Sequence, residues 1–261
     1  MFFPPELERW LLAIGVGLTR TLPIVWMIPA FGGKNVPTQV RMGLALALSA
    51  VSFPQVLLSL PRSGGPMFWI LLLAREGLVG FTVGFVGASI FRAAESAGKL
   101  IDILRGANMA EVLSPVAEER SSPLGDIFTL LVAVIFLELG GLPLVAAAMA
   151  RSYDAVPLDF TPMPASLAGA TNLVIITSAK LLEATLALAA PAVVALLLAD
   201  LVLGAVARMA PQIPVYFVGM PLKALAGVGI VLVGIGGLQS ALYGSFDGWL
   251  RLVERAFGTW R

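Results

Sequence analysis

The chain has 261 residues, of which 58% are hydrophobic before its 27 glycines are counted, 13% are charged, and the net charge is +1. Ordinary globular domains carry roughly 45–50% apolar and about 25% charged residues, so a soluble domain of this size could not hide so much apolar surface. The absence of Cys and His excludes disulfides, thiol nucleophiles, histidine-based triads, His-bearing zinc sites and His-ligated haem.

The first ten residues hold Glu6, Glu8 and one basic residue, Arg9. Without a basic n-region no cleavable signal is expected, and the first apolar run reads as a retained helix. A spanning helix needs about 20 mostly apolar residues. Leu11 to Phe31 qualifies, interrupted by Arg20, Pro23 and Pro29. Met42 to Leu60 follows, broken by Pro54, and then Met67 to Phe91 with Arg75 and Glu76 in its middle. Glu95 and Lys99 form an i,i+4 pair, and Leu100, Ile101 and Leu104 mark an apolar face, so that helix should continue past Phe91. Ile127 to Ala150 is the next run, with Glu138 central and Gly140-Gly141-Leu142-Pro143 beside it. Arg151 to Pro164 holds three prolines and is expected to be extended. Ala165 to Ala207 is too long for one straight span and reads as a hairpin turning near Pro191 or as one bent span, the hairpin being preferred. Ala224 to Tyr243 carries no charge, and an amphipathic tail follows Gly244. With that hairpin, loop Lys and Arg divide nine against five, which places the richer side and the C-terminal tail in the cytoplasm.

Charges inside apolar runs are costly, about 2.5–3.5 kcal/mol each on insertion scales. Here they are Arg20, Arg75, Glu76, Glu138, Lys180, Glu183 and Asp200. They read either as an ion or proton pathway or, preferably, as charges buried for interhelical pairing and assembly. Lys180 and Glu183 are i,i+3 neighbours; Arg75 and Glu76 are adjacent, point apart and need partners elsewhere. Gly80-x-x-x-Gly84 and Gly84-x-x-x-Ala88 are close-packing patterns, either within the chain or between subunits. Gly106, Ala107, Met109, Val112, Leu113 and Pro115 form a small, apolar, broken stretch. It could seal a channel by excluding water, although spacing alone favours an ordinary surface loop.

Four features taken together resemble the FliR/SctT family of export-apparatus subunits. They are Arg20 with Pro29-Ala30-Phe31-Gly32, Val36-Pro37 and Arg41; Arg75-Glu76 leading to Gly80 and Gly84; Ala97-Gly98, Asp102 and Gly106 followed by Ser122-Pro123-Leu124-Gly125; and Pro211-Gln212 with Phe217, Gly219 and Pro221-Leu222-Lys223. The resemblance implies an all-α, polytopic, membrane-associated chain of helical hairpins and kinked helices, built into a larger helical export gate. It implies one domain over residues 1–261, with 1–123 as N-terminal helices and loop and 124–261 as C-terminal hairpins and tail. It implies no enzyme activity, cofactor or metal, and no nucleic acid. The implied partners are FliP/SctR-like and FliQ/SctS-like subunits, with FlhB/SctU- and FlhA/SctV-like components and unfolded exported proteins, in the bacterial inner membrane. The family's pore plug maps onto Gly106 to Pro115. Gly140-Gly141-Leu142-Pro143, where flagellar members often carry Gly-His, leans towards a virulence-type injectisome, as do Ser152-Tyr153 and the Ser-Pro-Leu-Gly element. The rival class is a small-solute or ion transporter. It would need charges converging on a midplane site, often with internal repeats, and no repeat is visible. An intramembrane Ser-Lys enzyme is disfavoured, because Ser178 and Lys180 are two residues apart and do not share a helix face.

Overall fold

Long apolar runs fold as helices here, and most breaks fall beside glycine or proline. The computed structural model describes residues 5–32, 36–61, 64–107, 122–158, 163–212, 214–215, 217–233, 236 and 240. Its helices are α1 (Pro5–Met27), α2 (Pro29–Gly32), α3 (Thr38–Ser59), α4 (Pro66–Leu104), α5 (Pro123–Glu138), α6 (Gly141–Ala155) and α7 (Met163–Met209), with α8 at Phe217–Val233. No strand occurs among the described residues. Four helices are long and apolar enough to cross a membrane, or five spans if the bent pair α5 and α6 counts as one. The all-α, polytopic expectation holds.

The chain divides into two compact units, neither continuous in sequence. The first is built mainly from Met1–Ser89 and Ala133–Ala179, the second from Ile90–Val132 and Lys180–Phe246. In the first unit α1 buries Ala13, Val16, Gly17, Arg20, Thr21, Ile24 and Val25. That is a stripe at helical spacing with an arginine in its middle. α1 packs along α3, and Gly17 permits the approach, since a Cβ there would stand 2.5 Å from the Ser49 hydroxyl. The small-residue stripe of α4 faces α1. A Cβ on Gly80 would run into the Arg20 backbone, and one on Gly84 would meet Ile24 Cα and the Pro23 carbonyl at 3.0 Å. These glycines therefore serve packing within the chain.

In the second unit Phe91, Ala94, Ala97 and Ile101 of α4 are buried, as are Leu124, Phe128 and Val132 of α5 and Ala189, Ala192 and Leu196 of α7. The Thr185 hydroxyl of α7 donates to the Ala93 carbonyl at 3.3 Å. α8 lies against α7 at Gly219 and Leu203.

Three expectations change. α7 runs as one helix of 47 residues through Pro191, so the hairpin is absent, and the orientation argument built on it lapses. A reversal would strand about four carbonyls and four N–H groups in apolar surroundings, whereas a proline removes one hydrogen bond. α6 extends to Ala155, so Arg151 to Ala155 is helical; residues 159–162, with Pro162, lie outside the described residues, and Pro164 lies in the first turn of α7, where proline is tolerated. The run Ile127 to Ala150 is two helices bent by 75°, because Gly140 takes φ +74 between them. By contrast, α4 does continue past Phe91 to Leu104, as its polar-side pairing suggests. The tail after Gly244 lies outside the described residues, as does part of the run to Tyr243.

Candidate functional site

The end of α4 and the start of α5 meet at one carboxylate. Asp102 is buried, and its two oxygens take three hydrogen bonds. Oδ1 accepts from Arg105 Nε at 2.7 Å. Oδ2 accepts from the Ser122 hydroxyl at 2.6 Å and from the Leu124 N–H at 3.0 Å. Ser122 also caps α5, accepting the Gly125 N–H at 3.2 Å, and Pro123 stands at the first helical position, where its missing N–H costs nothing. α4 closes with Gly106 at φ +83; the Ala107 N–H bonds the Asp102 carbonyl at 3.0 Å and the Gly106 N–H the Ile103 carbonyl at 3.1 Å. That paired pattern is a Schellman ending, which requires a residue at ease in the left-handed region. Gly98 lets the helices touch, because a Cβ there would stand 2.5 Å from the Gly125 nitrogen. Gly98, Asp102, Gly106 and the Ser-Pro-Leu-Gly element thus form one junction. Of the predicted plug, Gly106 and Ala107 are described and partly buried; Met109, Val112, Leu113 and Pro115 lie outside the described residues.

A second cluster sits in the first unit. Arg20 is fully buried and pairs with fully buried Glu76, Nε to Oε2 at 2.6 Å. Its remaining nitrogens donate to the Ser152 hydroxyl at 3.1 Å and the Val156 carbonyl at 3.0 Å, and its guanidinium lies 3.9 Å from the centre of the Tyr153 ring. Arg75 donates to the Pro157 carbonyl at 2.9 Å. Two arginines therefore hold consecutive carbonyls just beyond the C-terminus of α6, where helix carbonyls lack partners and positive charge is favourable. Adjacent Arg75 and Glu76 do take separate partners.

The other sequence-predicted charges are placed differently. Glu138, Lys180, Glu183 and Asp200 are exposed on this chain. No ion pair joins Lys180 to Glu183 among the described residues, while Asp200 pairs with Lys223 at 2.8 Å. Pro29 opens α2, and Phe31 of the same motif packs edge-on against Phe136 at 5.7 Å. A Cβ on Gly32 would stand 3.1 Å from the Val25 carbonyl, and Pro37 precedes α3. Pro211 and Gln212 form an exposed turn; Pro221 is exposed within α8. A groove of about 400 Å³ in the second unit is lined by Leu104, Arg105, Asp200, Leu203, Met220 and Lys223 among others.

The sequence reading did not identify the roles of Ser122, Ser152 and Tyr153. Ser122 was detectable as a cap, since serine before proline and an apolar run is a helix-start signal. The partners of Arg20 carried no local signal, because they lie more than 50 residues away in sequence.

The family described as "Bacterial export proteins, family 1" matches residues 11–248. The chain is similar to Secretion system apparatus protein SsaT of Salmonella typhimurium, 29% identical over 227 residues, which cover 84% of this chain and 85% of that protein. It is similar to Flagellar biosynthetic protein FliR of Escherichia coli, 26% identical with 86% and 85% covered. It is also 30% identical to Yop proteins translocation protein T of Yersinia pestis, with 87% of each chain covered. Flagellar biosynthetic proteins and secretion-system or translocation proteins are both among its relatives.

Proposed function

Because the chain belongs to the bacterial export proteins, family 1, we propose that it is a core subunit of the type III secretion export gate. In this reading it joins FliP/SctR-like and FliQ/SctS-like subunits in a closed channel for unfolded protein, in the bacterial inner membrane, and catalyses no reaction. FlhB/SctU- and FlhA/SctV-like components work beside it, and the system is of the injectisome branch.

The observation that carries the reading beyond family membership is the length of α7. Its apolar part, Gly169–Met209, has 41 residues, and its most apolar window of 18 residues has mean hydropathy 2.5 and is only 17% buried. At 1.5 Å per residue that is about 60 Å of apolar helix, roughly twice the hydrocarbon core of a bilayer. Lipid covers about half of it; neighbouring subunits cover the rest. Lys180 and Glu183 then meet protein partners in the assembly. Residues 106–115 plug the resting channel with Met109, Val112 and Leu113, hung from the Asp102 junction.

Co-expression tests this. With both small partners the chain should purify as one discrete complex, and alone it should aggregate or be degraded. A stable monomer that carries a small solute or ion across vesicles by itself would replace this reading with the transporter.

A further inference from the structure

Within the second unit, α7 turns one side to its own chain. Thr185 donates to the Ala93 carbonyl, and Ala189, Ala192 and Leu196 are buried. The other side is bare. Lys180, Glu183, Ala187, Ala190, Val194 and Leu197 are all exposed. They stand three and four residues apart in alternation, which sets them in one stripe along the helix, at the spacing of a seam between paired helices. Three points on this stripe are polar. Lys180 and Glu183 make no ion pair among the described residues. The Ala187 carbonyl loses its usual helix donor, because Pro191, four residues on, has no N–H. Hydrocarbon satisfies none of the three.

We propose that this stripe seats one helix of a different subunit, which brings a carboxylate level with Lys180 and a basic group level with Glu183. Charge complementarity calls for those two groups, since like charges set against each other oppose docking. The same charges argue against a second copy of this chain. Parallel and in register, two copies would set Lys180 beside Lys180 and Glu183 beside Glu183. Antiparallel about a twofold axis, Lys180 would meet Glu183, but Ala190 would then fall on Leu173 of the other copy, and Leu173 is buried. The inference rests on the export-gate reading above and names the face of α7 that protein covers.

The test uses the assembled complex in cells, with a photo-crosslinking side chain placed at one position at a time. At Ala187 and at Val194 it should capture one and the same protein. At Leu182 and Val202, each 63% exposed but roughly 100° round the helix from the stripe, it should not capture that protein. Mass analysis identifies the captured chain, and its sequence shows the facing charges. K180E should lower its capture at Val194 about tenfold or more, the factor that loss of an interfacial ion pair carries, and reversing the facing carboxylate to lysine should restore it. Lys180 is exposed on this chain, so K180E disturbs no buried contact within it. Several results overturn the proposal: no protein captured at Ala187 and Val194, which would mean lipid on the stripe; capture of a second copy; equal capture at all four positions; unchanged capture in K180E; or no restoration by the facing reversal. A partner of this chemistry from outside the secretion apparatus would leave the interface standing and overturn the export-gate reading instead.

Discussion

Removing Arg20 should be the most damaging single change in the first unit. Its guanidinium is fully buried, pairs with an equally buried Glu76 at 2.6 Å, and also serves Ser152 and Val156. R20A would leave a carboxylate without its cation and a carbonyl without its donor. Breaking a buried pair from one side costs about 3–5 kcal/mol, largely the penalty of the stranded charge. R20K keeps the charge but cannot reproduce the planar fork, and should cost about 1–3 kcal/mol. R20M combined with E76L removes both charges at similar volume, and should cost less than about 2 kcal/mol, chiefly for the Val156 carbonyl. The double mutant would therefore be more stable than R20M or E76L alone, each of which breaks the pair from one side, with a coupling of at least about 4 kcal/mol across the cycle of wild type, R20M, E76L and the double. The assay is the thermal midpoint and yield of the complex extracted in detergent, across the four-member cycle. Additive single effects, or an R20A loss below about 1 kcal/mol, would refute the argument that a stranded charge dominates.

Three further outcomes follow from the same geometry. G80A should lower the yield and thermal midpoint by forcing a Cβ into the Arg20 backbone, an overpacking cost of about 1–3 kcal/mol, whereas G229A, with nothing within 4 Å of its Cβ, should be neutral or slightly stabilising. E183A should reduce recovery of the complex with its partners in a pull-down although Glu183 is exposed on this chain; loss of proton-dependent transport from a normally assembled complex would instead favour a relay. Deletion of residues 107–113 should leave assembly intact and raise small-ion conductance in cells carrying the complex, and unchanged conductance would return that stretch to an ordinary loop.

The sequence determined the class of the protein and much of its punctuation. Apolar runs near the length of a bilayer can only be helices there, since each backbone group must find its partner within its own segment. Gly106 and Gly140 mark helix ends by a local rule about φ, and Ser122-Pro123 marks a start by the same kind of rule. The order of four motifs also carried the family. Tertiary structure decided what is not local. Seven charges in apolar runs looked alike in the sequence, yet Arg20, Arg75 and Glu76 are buried, and Glu138, Lys180, Glu183 and Asp200 are not. Which face of a helix meets its own chain depends on partners far along it, and hydrophobicity cannot sort the faces when every face is apolar. Pro191 shows the same limit. A proline permits a break, but whether the helix takes it depends on how many backbone groups the break would leave unpaired, and that is a property of the surroundings rather than of the residue.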